Sequence, residues 1–206
     1  MMYKNIKNIV FDFGGVLVNL DKERCVSAFD KIGAYHISSY VDECKQEDLF
    51  HELEIGRIDA NAFCDEVRRL TGIHASDEDI CYAWNSLLVD VPAGRIEKVM
   101  ELHHHYHTFL LSNTNDIHWR KSVEELFPYN GMNADDYFDR IFLSYEMHKV
   151  KPDCDIFVQM MDESGIKAED TLFLDDSEAN CNTAHNLGIN TILVKSDEDW
   201  MNIFKI

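Results

Sequence analysis

Apolar and polar positions along this chain follow two regimes. Residues 6–11 form a near-continuous apolar run, the pattern of a strand buried on both faces. After it the period lengthens to that of a helix. Cys25, Val26, Phe29 and Ile32 recur at helical spacing up to Gly33, and residues 41–53 form a second, less regular stretch. Asp59 is placed to cap a helix that carries Phe63, Val67 and Leu70 and is stopped by Gly72. Ser76 opens a fourth helix, with Asp79 completing a near capping box and Ile80, Ala83, Trp84 and Leu87 on one face. Nothing in this region has the period of a strand.

From Pro92 onward the two periods alternate. A helix carrying Ile96, Val99 and Met100 leads to a strand at 108–111, a helical region at 116–127 and a strand at 140–144. Pro152 is expected at a helix start, where its missing N–H costs nothing, with Ile156, Phe157, Met160 and Met161 as the buried face. A strand at 171–174, a helix at 177–187 stopped by Gly188 and a strand at 191–194 complete the pattern. Repeated strand–helix units predict an α/β fold, a doubly wound parallel sheet with helices on both faces. Residues 1–19 and 92–206 would form this core, and residues 20–91 a helical insertion. An insertion leaving the carboxyl end of the first strand must sit above that end, where it can act as a lid.

Composition narrows the class. With 206 residues, 46% hydrophobic and 28% charged, and no low-complexity segment, the chain is an ordinary globular protein long enough to bury a core. No apolar run approaches the roughly 20 residues of a membrane span, and the start lacks a signal-peptide apolar region, so a soluble cytoplasmic protein is expected. Six cysteines without a Cys-x-x-Cys pair read as reduced, small hydrophobes rather than disulfides or a zinc site. His103, His104, His105 and His107 invite a metal reading, but consecutive helical positions point in different directions, and a polar helix terminus explains them. The formal charge of -19 opposes nucleic acid and anionic membranes. A phosphorylated substrate would meet the same repulsion, so its site must neutralise charge locally. The sequence does not reveal an oligomeric state.

The candidate chemistry lies at strand ends. In Ile9-Val10-Phe11-Asp12-Phe13-Gly14-Gly15-Val16 an apolar strand yields to an acid and a glycine turn. Ligands collect at the carboxyl ends of strands in open parallel sheets, so Asp12 is a candidate nucleophile or metal ligand, and a turn former otherwise. Phe109-Leu110-Leu111-Ser112-Asn113-Thr114 and Leu172-Phe173-Leu174-Asp175-Asp176-Ser177-Glu178-Ala179-Asn180 repeat the same grammar, with Val150-Lys151-Pro152 between them. Ser112 and the Asn113 N–H lie where free amide donors suit a phosphate. Adjacent buried aspartates repel without a cation, so Asp175-Asp176 argues for a metal. Asp12, the Gly14 carbonyl and Asp176 could supply the few oxygen ligands that Mg²⁺ prefers. A buried Lys151 would keep Asp12 ionised and stabilise charge on a transferring group.

The order acid, Ser-Asn, Lys-Pro, Asp-Asp resembles the four motifs of the haloacid dehalogenase-like hydrolases, mostly Mg-dependent phosphatases, over nearly the whole chain. Phe-Asp-Phe-Gly-Gly-Val-Leu-Val, Leu-Ser-Asn-Thr-Asn and Leu-Asp-Asp-Ser-Glu-Ala-Asn, together with Phe50-His51-Glu52-Leu53-Glu54-Ile55-Gly56-Arg57-Ile58, look like the clade of the bacterial α-D-glucose-1-phosphate phosphatase. The resemblance implies a Rossmann-like core with a helical cap, and an aspartyl-phosphate on Asp12. It also implies direct metal ligation by Asp176, while Asp175 either ligates through water or orients Lys151.

The usual second aspartate, two residues after the nucleophile, is replaced by Gly14. Three readings follow. The chain is a phosphatase whose leaving group needs little protonation, such as the anomeric oxygen of an aldose 1-phosphate; or a 2-haloacid dehalogenase using Asp12 on carbon; or a non-catalytic phospholigand binder. Against the second stands Asp175-Asp176, which dehalogenases replace with uncharged residues. His51 and Glu54 are candidates for substrate contact from the cap, and equally for a solvated helix face. Trp84 and residues 50–58 are candidates for lining the pocket, or for core.

Overall fold

The structure, a computed structural model, describes residues 5–35, 37, 49–195 and 200–204. Strand β1 (Asn8–Phe11) is followed by helices α1 (Lys22–Lys31), α2 (Leu49–Glu54), α3 (Ala60–Thr71) and α4 (Asp77–Asn85). Then come α5 (Ala93–His103), β2 (His107–Ser112), α6 (Asp116–Lys121), α7 (Ala134–Tyr137), β3 (Arg140–Leu143) and α8 (Ser144–Met147). Helix α9 (Cys154–Ser164), β4 (Thr171–Asp175), α10 (Glu178–Asn186) and β5 (Asn190–Leu193) close the order.

The five strands are all parallel, in the order β3-β2-β1-β4-β5. β1 is central, and the chain winds one way through β2 and β3 and the other way through β4 and β5. The reversal falls between β1 and β4, so the carboxyl ends of these two strands flank the switch point where open α/β sheets bind ligands. Register fixes what meets there: Phe11 pairs with Leu174, and the Asp12 N–H donates to the Leu174 carbonyl at 2.9 Å, which sets Asp12 beside Asp175.

Helices cover both faces through separate apolar clusters. Ile9, Phe11, Leu110, Leu172 and Leu174 pack against α5, Phe127 and Trp200, while Val10, Phe109, Leu111 and Phe173 pack against α9 and α10. This is the alternation of a strand whose two faces are both buried. A third cluster belongs to the helical insert, where Cys25, Phe29, Phe50, Leu53, Phe63, Val67, Ile80 and Trp84 meet, with Ile117 of α6 as its contact to the sheet layer. Expected caps hold: Asp59 accepts from the Ala62 N–H, Ser76 from the Asp79 N–H, and Gly72 ends α3 at φ 72.

Differences from the sequence pattern have local causes. β1 begins at Asn8, not residue 6, because the register with β2 and β4 begins there. Pro152 does not open a helix: the Lys151–Pro152 peptide is cis, and α9 starts at Cys154 behind an extended Asp153, since Lys151 is tied back to the sheet by Asn113 and Leu111. The helical region expected at 116–127 is α-helical only to Lys121 and then widens to a π-helix over Ser122–Leu126, where Ser122 Oγ donates to the His118 carbonyl. The helix expected at 41–53 lies outside the described residues up to 48; from Leu49 it runs to Glu54. α7 and α8 have four residues each, too few to show a period.

Among the described residues, no helix is long and apolar enough to cross a membrane. Five cysteines are free, and Cys44 lies outside the described residues. His103 Nδ1 lies 2.7 Å from Thr108 Oγ1, and His107 Nδ1 3.3 Å from Asp139, so these histidines serve local hydrogen bonds.

Candidate active site

Each strand end delivers one part. Asp12 follows β1, Ser112 ends β2, Asp175 ends β4 with Asp176 after it, and Lys151 reaches in from the segment between β3 and α9. The Lys151 Nζ donates to Asp12 Oδ1 at 2.8 Å, Asp175 Oδ2 at 2.7 Å and the Leu111 carbonyl at 2.9 Å. These three acceptors satisfy all three ammonium protons, which is what a fully buried Lys requires.

Asp175 is wholly buried and engaged on both oxygens. Besides Lys151, the Ser177 N–H donates to Oδ1 at 2.8 Å, and Asn180 Nδ2 lies 3.0 and 3.1 Å from the two oxygens. Ser177 caps α10, so the first turn of that helix clamps the carboxylate. Asp176, by contrast, is exposed. One ligand oxygen each from Asp12, Asp175 and Asp176 can be chosen so that all lie within 4.8 Å of one another. Among the described residues this is the group of acids, histidines and cysteines compact enough to hold a metal ion.

Charge makes the cluster incomplete on its own. Three carboxylates against one ammonium leave a formal excess of two negative charges. Burial pushes the Asp12 carboxyl up to about 7 against the opposing pull of Lys151, with Asp175 and Asp176 adding to the rise. Burial and then Asp175 also raise Asp176, while the two paired carboxylates hold the Lys151 ammonium above the usual lysine range despite its burial. A divalent, oxygen-preferring cation would cancel the excess, and the donor set suits one.

Glycines make room for this arrangement. Gly15 has φ 71, and a Cβ there would stand 2.2 Å from Asp176 Oδ2. At Gly14 an added Cβ would meet only the Leu20 side chain, 3.1 Å away. An acid at this position would need the half-exposed Leu20 side chain to give way by a few tenths of an ångström.

Ser112 is buried, and among the described residues its hydroxyl has a single long contact, 3.4 Å to the Asn113 carbonyl. The Asn113 side chain is committed to structure: its amide donates to the Lys151 carbonyl at 2.8 Å and its oxygen accepts the Lys151 N–H at 2.9 Å. This reciprocal pair fixes the backbone from which the Lys151 side chain departs. His51 and Glu54 lie half-buried on α2, and the Glu54 carbonyl accepts from Ser144 Oγ at 2.7 Å. Phe50, Leu53, Ile55 and Trp84 are buried in apolar packing, with the Phe50 and Trp84 ring centroids 4.5 Å apart, so these members of the candidate pocket lining serve as core.

The structure also adds residues that the sequence reading passed over. Asn180 clamps Asp175, and its place three after a capping Ser177 was the available signal. Asn115 caps α6 and His118 stacks on Trp84 at 4.4 Å, with Nε2 3.1 Å from the Trp84 carbonyl and Nδ1 3.3 Å from Asn115 Nδ2. Ser144 and His148 contact the insert, and no sequence pattern announces either. A cavity of about 500 Å³ opens at the opposite, amino-terminal edge of the sheet, lined by Lys7, His107, Asp139, Arg140, Glu163 and Asp170 among others. Lys7 pairs there with Asp170 and Arg140 with Glu163, His107 lies against Asp139, and the carboxylate cluster is not part of it.

Known proteins share the sequence and the fold of this chain. Residues 9–194 match the family model of the haloacid dehalogenase-like hydrolases. The chain is 36% identical over 197 residues, 95% of each chain, to the D-ribitol-5-phosphate phosphatase of Bacteroides thetaiotaomicron. A crystal structure of a HAD family enzyme from the same organism, in complex with magnesium and inorganic phosphate, superposes with a TM-score of 0.94 at 42% identity, covering 97% of this chain and 100% of that one. A predicted HAD-like hydrolase from Porphyromonas gingivalis gives a TM-score of 0.90 at 36% identity, covering 97% and 96%. An L-2-haloacid dehalogenase from Xanthobacter autotrophicus, 19% identical with a TM-score of 0.60 over 90% and 76% of the two chains, shares the fold. The chain belongs to the haloacid dehalogenase-like hydrolases.

Proposed function

Starting from that membership, we propose that the protein is a phosphatase that hydrolyses a small phosphorylated sugar or polyol, with magnesium as cofactor, through an aspartyl-phosphate on Asp12. The observation that carries this reading is the buried Asp12–Lys151–Asp175 chain beside an exposed Asp176 at the switch point of the sheet. The relatives support it, one by its name as a phosphatase and one by the magnesium and phosphate it holds.

In this reading Asp12, the Gly14 carbonyl and Asp176 hold the cation. Asp175, with both oxygens occupied, orients Lys151 and has little capacity left for direct ligation. When bound, magnesium shields the phosphate charge from the carboxylates and polarises the phosphoryl oxygens. Lys151, together with the cation, would favour the ionised form of Asp12, and the Asp12 carboxylate attacks phosphorus in line. The P–O bond to the sugar or polyol breaks as the aspartyl P–O bond forms, and the departing oxygen takes its proton from water. Ser112 and the Asn113 N–H donate to the equatorial oxygens. Water then hydrolyses the acyl phosphate and returns Asp12. The helical insert at 20–91 acts as the cap that excludes bulk water, and His51 and Glu54 are its candidates for contact with the leaving group.

Two substrates are favoured by separate observations. Gly14 in place of an acid favours an aldose 1-phosphate, whose anomeric oxygen leaves with little protonation. The named relative favours a pentitol phosphate. Phosphate release from a panel of aldose 1-phosphates, hexose 6-phosphates, D-ribitol 5-phosphate and an aryl phosphate, with and without magnesium, tests the proposal. Magnesium-dependent turnover of a sugar or polyol phosphate above the aryl ester is expected. No phosphate release, or chloride release from 2-chloropropionate, would overturn it.

A further inference from the structure

The chain leaving α2 rests on α8, and three consecutive residues make the contact. Ser144 Oγ donates to the Glu54 carbonyl at 2.7 Å, and His148 Nδ1 lies 3.0 Å from the Ile55 carbonyl. Gly56, at φ 66, approaches the Tyr145 carbonyl so closely that a Cβ would stand 2.2 Å from its oxygen. Only glycine fits that position, on both dihedral and steric grounds.

The seat is wired to the candidate phosphate loop. Ser144 is fully buried, its Oγ accepts the Thr114 N–H at 2.9 Å, and it lies 2.9 Å from the Thr114 carbonyl. Thr114 follows Ser112 and Asn113 directly. One hydroxyl has one proton for two carbonyls, so the rotamer that presents Oγ to the Thr114 N–H is held by the seated Glu54 carbonyl as well as by Thr114, and it loosens when Glu54 departs. The position of the insert and the hydrogen bonding of the loop are therefore linked through a single side chain.

We propose that Ser144 is a positioning residue: its hydroxyl couples the seating of residues 54–56 on the core to the order of the 112–114 loop, so that the part of a substrate beyond the phosphate is read only in the seated state. The inference rests on the phosphatase reading above for its kinetic arm. A large seated surface gains substrate discrimination by differential binding, which a small aryl ester does not engage.

Gly56→Ala removes the seat without touching Ser144, and Ser144→Ala removes the link. The expected kinetic result for Gly56→Ala is a loss of at least thirtyfold in kcat/KM on the best sugar or polyol phosphate, with a loss at least tenfold smaller on p-nitrophenyl phosphate. Ser144→Ala loses activity on both, more on the sugar or polyol phosphate, and Ser144→Thr restores at least half of it. Hydrogen exchange gives a readout independent of activity. In Gly56→Ala the Thr114 amide exchanges at least tenfold faster, while amides of β1 and α3 keep parental rates. An unchanged Thr114 rate, or equal losses on both substrates, would overturn the coupling. A parent protein inactive on all phosphates, with the exchange result as expected, would overturn the phosphatase reading and leave the coupling standing.

Discussion

Gly15 and Asp176 compete for the same space. A Cβ on Gly15 would lie 2.2 Å from Asp176 Oδ2, so the turn after β1 and the carboxylate after β4 can coexist only because position 15 has no side chain. Gly15→Ala is therefore expected to displace the Asp176 carboxylate and to cost about 1 kcal/mol or more from the positive φ. Magnesium affinity, read by titration calorimetry, should fall at least tenfold while far-ultraviolet circular dichroism is retained. Parental affinity in this variant would place the cation elsewhere.

Asp12→Asn keeps the shape and the Lys151 hydrogen bond but removes the attacking charge. Turnover should fall at least a thousandfold with the melting temperature held within a few degrees. Undiminished phosphate release by Asp12→Asn would rule out covalent catalysis through Asp12.

Lys151→Met leaves two carboxylates facing each other without their ammonium. Removing one partner of a buried charge cluster costs about 3–5 kcal/mol, so the denaturant midpoint of metal-free protein should fall sharply and activity should vanish. Saturating magnesium should recover part of that stability, since a cation at hundredfold its dissociation constant contributes about 2.7 kcal/mol to the parent. In Asp176→Asn the magnesium-dependent rise in melting temperature should disappear, and the metal-free protein should be no less stable than the parent.

His118 supplies a pH dependence. Burial, and then the nearby Lys121 charge, push its imidazole down to about 4 from 6.5, against the opposing effect of the Trp84 carbonyl. The unfolded chain therefore takes up this proton first as pH falls. Stability from this group is complete above about 6.5, is lost between about 6.5 and 4, and amounts to about 3 kcal/mol. Asp12, raised to about 7 from 3.8, works with opposite sign across that whole window in metal-free protein, because the folded state takes its proton first. The measurement is thus the difference between parent and His118→Gln in denaturant midpoint from pH 7 to pH 4, which should shrink as pH falls. A constant difference would show that His118 is not held neutral.

The legible parts of the chain were those set by local rules. Asp12, Lys151 and Asp175 could be read because each follows an apolar strand or sits in a recognisable order, and parallel register then brings them together without further instruction. The caps at Asp59 and Ser76 were equally local. Asn113 shows the limit: the motif offered its backbone N–H to phosphate and was silent about its side chain, which pairs with the Lys151 backbone, a choice made by two loops meeting across 38 positions of sequence. Ser144 and Gly56 depend on how the insert comes to rest, and α8 is too short to leave a periodic trace. Trp84 carried the period of a core residue and proved to be one.

The insert leaves the sheet layer and returns to it at nearly one point. The Asn19 N–H donates to the Asp90 carbonyl and the Val89 N–H to the Asn19 carbonyl, both at 2.9 Å, and the Asp21 N–H reaches the Leu87 carbonyl at the same distance. With its exit and entry chains hydrogen-bonded side by side, the stretch between them is topologically a long excursion from a closed ring. It could be exchanged for another helical module, or for a turn of two or three residues, without rethreading a single strand. What such an exchange would have to rebuild is the seat on Ser144, Tyr145 and His148, because the insert touches the sheet layer there as well as at its two ends.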